Sequence, residues 1–314
     1  LKFGSSSDYL TEKTWSDENR RSIILAEGVS SDAADAAKQY IVATASYVKE
    51  FGNNSDTPLV SGSVVDVTGS ATLVNRGGRV TVWSGGEADV GNGSSTELDT
   101  KILAPEYSYS DYKNPDVTTT TVTGTTGGKK GIDIVDQDSN LKSLLEDSDS
   151  EKLFKTFFGM SLDDWKNLDG MEDITGQSFS PLDADDQIER KRRLVYHSGN
   201  LDMPSNQVFG SEDFPVILIV DGNLTWTNNS CLYGIVFVSG TLTGQGGAKG
   251  SSDPDKSCAD DEGNKYKMLG SMIVKGRADL KGGFGIYFDK VKLGEPDDWI
   301  QADIVAGGWK DWRN

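Results

Sequence analysis

The sequence predicts a mainly β fold whose C-terminal half is β-solenoid-like, built of glycine-punctuated rungs of about 18 residues, with one N-terminal α-helix and short inserted helices. Three observations carry that expectation. The composition is rich in turn formers, with 36 glycines among 314 residues and a hydrophobic content of 36%, which suits short strands and tight turns better than long helices. A motif recurs late in the chain as LVYHSGNL, ILIVDGNLTW, IVFVSGTLTG and MIVKGRADL. Each copy is a run of β-formers, a polar residue, a glycine, and an apolar residue one or two places on. The glycines, Gly199, Gly222, Gly240 and Gly276, are separated by 23, 18 and 36 residues, and 36 is twice 18. Repetition of this kind implies stacked strands with glycine at each corner. A β-sandwich with chance hairpin spacing is the alternative architecture.

The elements fall into four regions. Residues 1–58 form an N-terminal region in which Ala33, Ala36, Ala37, Tyr40, Ile41, Thr44, Tyr47 and Val48 recur at helical spacing, predicting a helix over 31–50. Its small-residue face would pack on a sheet or continue a membrane-proximal helix. Residues 59–135 are β-rich: VSGSVVDVTG, ATLVNRGG and RVTVWSGGEADVG read as strands and tight turns, and Gly85 marks an earlier copy of the repeat. The Thr-rich stretch at 104–130 reads as an edge hairpin or a linker. Residues 136–190 hold short helices and an acidic connector. One helical stretch, 139–158, is broken in its acidic middle; a second, 161–169, opens with Ser161 and Asp164 as a capping pair. Leu153, Phe154, Phe157 and Phe158 form an apolar end that must bury against something. Residues 191–314 are the repeat region.

Charge narrows the partners. A net charge of −18 repels phosphate backbones and anionic headgroups, so nucleic acid is not an expected partner. The start at Leu1 rather than Met points to a leader or anchor upstream. The two cysteines, Cys231 and Cys258, flank a segment rich in Gly, Ser, Asp and Lys. They are expected to form a disulfide that closes this loop, which contributes about 3 kcal/mol on a chain-entropy argument and implies an oxidising compartment. Two cysteines make no four-ligand zinc site alone, and His197 is the single histidine.

No catalytic residue emerges, and the chain reads as a non-enzyme. The acidic pairs Asp163–Asp164, Asp185–Asp186, Asp260–Asp261 and Asp297–Asp298 read as turn and helix-start residues. Taken instead as acid and base they would belong to a polysaccharide-cleaving enzyme. Asp253, Asp255, Asp260, Asp261 and Glu262 crowd around Cys258 and supply the hard oxygens that calcium prefers, but at no EF-hand spacing; a solvated acidic loop is the other reading. His197 reads as a surface residue equivalent to Asp221, Ser239 and Lys275. Neither a GxSxG elbow, a phosphate loop nor a dinucleotide fingerprint occurs, so no cofactor is expected. Trp226, Trp299, Trp309 and Trp312 are candidates for a partner or glycan surface, the last three equally for a cap over the end of the core.

The blocks FFGMSLDDWKN (157–167), GSEDFPVILIVDGNLTW (210–226), LYGIVFVSGTLT (232–243), GSMIVKGRADLKGGFGIYFD (270–289) and GGWKDWRN (307–314), in this order, resemble the C-terminal part of PilX-type pilus-assembly proteins. These are minor pilin-like proteins of bacterial type IV pilus systems. VWSGG (82–86) is a weaker upstream match. The resemblance implies a hydrophobic N-terminal helix, processed like a pilin, that anchors the protein in the inner membrane before it joins a surface pilus. It implies a periplasmic or extracellular site of action, partners among other pilins or a pilus-tip adhesin, and no catalytic residues. Gly222, Gly240 and Gly276 match its structural glycines. A non-catalytic structural or assembly component is therefore the expected function; a secreted adhesin or carbohydrate-binding β protein with a glycan ligand is the alternative.

Overall fold

The computed structural model describes residues 21–29, 38–48, 57–76, 80–91, 97–103, 119–122, 134–146, 151–168, 170–182, 192–246, 266–289 and 301–312. The chain divides into two compact units, Leu1–Glu50 with Asp297–Asn314, and Phe51–Pro296.

The first unit is a three-stranded antiparallel sheet of β1 (Arg21–Val29), β2 (Lys38–Val48) and β22 (Gln301–Trp312), with β2 in the middle. This corrects the helix expected over 31–50. The stripe that suggested it contains Tyr40, Ile41, Thr44, Tyr47 and Val48, which are β-branched or aromatic and favour strands wherever partners exist. Partners exist on both edges: Ile41 lies opposite Ala26 of β1 and Asp311 of β22. Tertiary pairing overrides the helical spacing.

The second unit holds the remaining elements. Its N-terminal stretch supplies β3 (Leu59–Ser61), β4 (Val65–Thr68), β5 (Thr72–Asn75), β6 (Val82–Ser84), β7 (Ala88–Val90), β8 (Glu97–Leu103), β9 (Thr119–Val122) and β10 (Ile134–Val135). Three helices follow, α1 (Ser139–Glu146), α2 (Lys152–Phe158) and α3 (Leu162–Lys166). Then come β11 (Met171–Asp173), β12 (Arg193–Ser198), β13 (Leu201–Asp202), β14 (Val208–Phe209), β15 (Val216–Asp221), β16 (Leu224–Trp226), β17 (Cys231–Val238), β18 (Leu242–Gln245), β19 (Met268–Val274), β20 (Ala278–Lys281) and β21 (Gly285–Phe288).

These strands form two parallel sheets, and that corrects the expectation of a β-solenoid-like C-terminal half with rungs of about 18 residues. The larger sheet has 13 strands, following β11-β12-β15-β17-β19-β21-β5-β8-β9 with β14, β3, β6 and β10 joined beside that path. The smaller has six, in the order β13-β16-β18-β20-β4-β7. All their pairings are parallel except β8 with β9, which is antiparallel. The repeat is not wound in chain order through the C-terminal half. Strands β3 and β4, from the N-terminal stretch, lie directly beside β19 and β20, and Ser61 Oγ donates to the Gly276 carbonyl 215 residues away. Few helices accompany the sheets, and they cover one face of the larger one in an α/β-like manner.

Parallel register builds the core. In the larger sheet Val195, Leu218, Val236, Met272, Leu59, Val82 and Ile134 stand in one row across seven strands. In the smaller sheet Leu201, Leu224, Leu242, Ala278, Val65 and Ala88 do the same. Both rows belong to one buried cluster. Phe179 and Phe209 belong to it too and stack at 4.0 Å, with the Arg193 guanidinium 5.3 Å from the Phe179 ring and ion-paired to Glu172 at 2.8 Å.

The repeat glycines stack at the turns between the sheets. The Gly240 amide donates to the Gly222 carbonyl and that of Gly276 to the Gly240 carbonyl. A Cβ on Gly240 would stand 2.6 Å from the Gly222 oxygen, and one on Gly276 2.5 Å from the Gly240 oxygen. Close backbone approach, more than φ freedom, thus requires glycine there.

The helices bury the apolar end noted in the sequence. Phe154 and Phe158 stack at 4.4 Å, and both meet Phe237 of β17 edge-on, at 5.0 and 5.8 Å. Trp165 of α3 stands edge-on to the same two rings. Ser161 caps α3 by accepting from the Asp164 amide at 3.0 Å.

Candidate functional site

Alternation of side chains along a strand leaves each sheet a second, outward row. On the smaller sheet this row reads Asp202, Thr225, Thr243, Asp279, Asp66, Asp89, one residue from each of six neighbouring strands and all in register. Asp202, Thr243 and Asp89 are exposed; Thr225, Asp279 and Asp66 are half-buried. Parallel strands lie ~4.8 Å apart, so the row offers short hydroxyl and carboxylate groups at that interval. A partial second row of Gln245, Lys281 and Thr68 runs alongside.

A guanidinium is set into this face. The Arg277 guanidinium donates from Nε to Asp279 Oδ1 at 2.5 Å and from Nη2 to Asp66 Oδ2 at 3.1 Å. Asp279, with Asp66 behind it, holds the guanidinium above its ordinary range. Asp66 Oδ1 is enclosed and accepts no hydrogen bond from the described residues. The three neighbouring aspartates, Asp279, Asp66 and Asp89, leave this end of the face negative. The arrangement suits hydrogen bonding and charge pairing with another surface; it sets no nucleophile beside a base.

A second polar constellation sits where α3 meets the larger sheet. Asp221 accepts from Tyr196 Oη at 3.2 Å and from Ser239 Oγ at 2.9 Å. The Lys166 ammonium lies 4.6 Å from the centre of the Tyr196 ring, and its interaction with Tyr196 holds it above its ordinary range. Both Asp221 oxygens are engaged by residues of the sheet, and Lys166 over the Tyr196 ring ties α3 to it.

Lys267 is fully buried. Its ammonium donates to the carbonyls of Gln245 at 2.6 Å, Trp226 at 3.4 Å and Asn228, and lies 5.3 Å from the Phe284 ring. Burial pushes it down to about 8.

Among the residues singled out in the sequence, Trp226 is not a partner surface. It is fully buried, its Nε1 donates to the Ser230 carbonyl at 3.1 Å, and its ring meets Phe284 edge-on. The reason is register: Trp226 stands on the inward side of β16, two places beyond Leu224. His197 is buried too, with Nε2 3.1 Å from the Asn200 carbonyl oxygen. Its register partner is Val220; the residue opposite Asp221 is Ser198. The surface reading of His197 was therefore one position out. Trp309 and Trp312 lie on β22, and Trp299 lies outside the described residues.

Cys231 is disulfide-bonded, and the chain has one other cysteine, Cys258. Cys258 and the calcium candidates Asp253, Asp255, Asp260, Asp261 and Glu262 lie outside the described residues. Of the acidic pairs, Asp163 and Asp164 occupy the first turn of α3, while Asp185–Asp186, Asp260–Asp261 and Asp297–Asp298 also lie outside. No group of three or more His, Cys, Asp or Glu side chains among the described residues is placed to hold a metal ion, and no helix among them is long and apolar enough to cross a membrane. The outward row of the smaller sheet escaped the sequence reading, although a signal for it exists in six triplets of apolar, Asp or Thr, then apolar or Gly. No known protein family, curated protein or solved structure matches this chain.

Proposed function

We propose that this chain is a non-catalytic assembly component of a type IV pilus, minor-pilin-like, acting through its surfaces on other pilins or a pilus-tip adhesin. The observation that supports this reading is the outward row of the smaller sheet. Two parallel sheets sharing one core form a stiff body, and the row puts a regular series of short polar groups on it. Short side chains lose little rotamer entropy on docking, and a rigid support lowers the cost of ordering a contact. The blocks that resemble PilX-type proteins supply the pilus setting. The disulfide at Cys231 suits an extracytoplasmic site of action.

The test is genetic and microscopic. Deleting the gene in its own host should lower the number of surface pili, and the unaltered gene should restore it. Charge-reversed Asp89→Lys combined with Thr243→Lys, both at exposed positions, should fold normally and fail to restore piliation. Unchanged piliation in the deletion strain would remove the reading. A carbohydrate-binding adhesin is the second reading, favoured by the same hydroxyl and carboxylate row, and saturable glycan-array binding lost with these two substitutions would put it first.

A further inference from the structure

The turn between β15 and β16 carries a modification motif whose asparagine, Asn223, belongs to neither strand and to neither row of the proposed docking face. The chain has four Asn-X-Ser/Thr tripeptides, beginning at Asn53, Asn92, Asn223 and Asn228. Such tripeptides are acceptors of N-linked glycans in exported proteins. Only Asn223 also has an acidic residue two places before it, Asp221, giving an extended Asp-X-Asn-X-Thr form.

Structure separates the two tripeptides that are described. Asn223 is exposed. Its Oδ1 accepts from the Thr241 amide at 2.8 Å and its backbone amide donates to Asn200 Oδ1 at 3.0 Å, while its Nδ2 bonds to none of the described residues. A sugar on Nδ2 would leave that Oδ1 acceptor in place and point from a turn into solvent. Asn228 is built differently. Its Nδ2 donates to the Met203 carbonyl, and its Oδ1 accepts from the Ser230 amide and hydroxyl. A sugar there would break the turn that also carries a carbonyl partner of Lys267.

We infer that Asn223 is an N-glycosylation site, modified by an oligosaccharide transferred from a polyprenyl-diphosphate carrier before the turn closes. In that transfer Nδ2 bonds to the anomeric carbon of the sugar. The bond from that carbon to the diphosphate oxygen breaks, polyprenyl diphosphate departs with the electron pair, and one amide proton is lost to a base. The required compartment is extracytoplasmic, as the disulfide at Cys231 implies.

The test exports the full chain, through an added signal sequence, in bacteria carrying an oligosaccharyltransferase and a lipid-linked oligosaccharide of known mass. Export is imposed, so the outcome stands apart from the pilus assignment. The expected result is one added oligosaccharide mass, located by fragmentation on the peptide containing Asn223. Asn223→Gln should abolish it, with a cooperative urea transition showing that the variant still folds, and Asn228→Gln should keep it. An unmodified Asn223 in periplasmic protein, or a glycan that survives Asn223→Gln, overturns the inference.

Discussion

The outer faces of the two parallel sheets are built by the same rule and end in opposite states. On the larger sheet the row Tyr196, Ile219, Phe237, Ile273, Val60, Trp83 runs in register across six strands, and Phe154, Phe157, Phe158 and Trp165 from α2 and α3 are buried against it. On the smaller sheet the matching row is Asp202, Thr225, Thr243, Asp279, Asp66, Asp89, half-buried or exposed throughout. One position per strand decides the difference. Apolar and aromatic residues there commit a face to covering by the chain itself; Asp and Thr leave it to water or to another molecule.

The contrast breaks most severely where two backbones in the larger sheet touch. Gly234 and Gly270 are register partners with φ of 135° and 144°, and a Cβ on Gly270 would overlap the Gly234 carbonyl. Gly270→Val should therefore destabilise the chain by about 4 kcal/mol or more, or prevent folding, as read by urea denaturation. Next is the aromatic cover. Phe158→Ala should cost about 3–4 kcal/mol, because it removes a fully buried ring touching Phe154, Trp165 and Phe237 at once. A loss below about 1 kcal/mol would show that the helices cover the face without stabilising it.

Lys267 sharpens the comparison from the inside, where a cation and not a ring closes the packing. Lys267→Met deprives the carbonyls of Trp226, Asn228 and Gln245 of a donor and should cost about 2 kcal/mol near neutrality, less than the sum of three lost bonds because a desolvated charge goes with them. The pH dependence has a definite sign. The folded chain releases the Lys267 proton near 8 and the unfolded chain near 10.4, so between these values the unfolded state binds more protons and the stability owed to this residue rises with pH. The gap in urea midpoint between the unaltered chain and Lys267→Met should widen from pH 8 to 10. Parallel curves would mean that the ammonium is not penalised by burial.

Much of this was legible in the sequence, unevenly. The strand runs at 216–221 and 231–238 and the turn glycines Gly222, Gly240 and Gly276 stood out because each copy uses the same local chemistry. Ser161 and the Phe154–Phe158 end were readable as a cap and an apolar face for the same reason. Global arrangement was not: nothing local in VSGSVVDV says that Val65 will stand beside Ala278, and the earlier copy read at Gly85 gives no sign of which strands its sheet joins. The helix expected at 31–50 failed because its stripe fits a strand as well, and the partner strand β22 lies at the far end of the chain. The outward row failed for another reason. Single Asp and Thr residues between apolar neighbours look like ordinary surface until the register aligns six of them.

That alignment gives the smallest expected effect on stability. Thr243→Ala and Asp89→Asn alter exposed side chains, so each should move unfolding by no more than about 0.5 kcal/mol. Asp66→Asn differs, because Asp66 accepts from Arg277 while its other oxygen is enclosed; its loss should be larger, about 1 kcal/mol. If Thr243→Ala and Asp89→Asn leave the urea midpoint within error and lower piliation, the row is kept for a partner. If Thr243→Ala and Asp89→Asn destabilise as much as Phe158→Ala, the two faces are both structural, and the distinction drawn from their exposure fails.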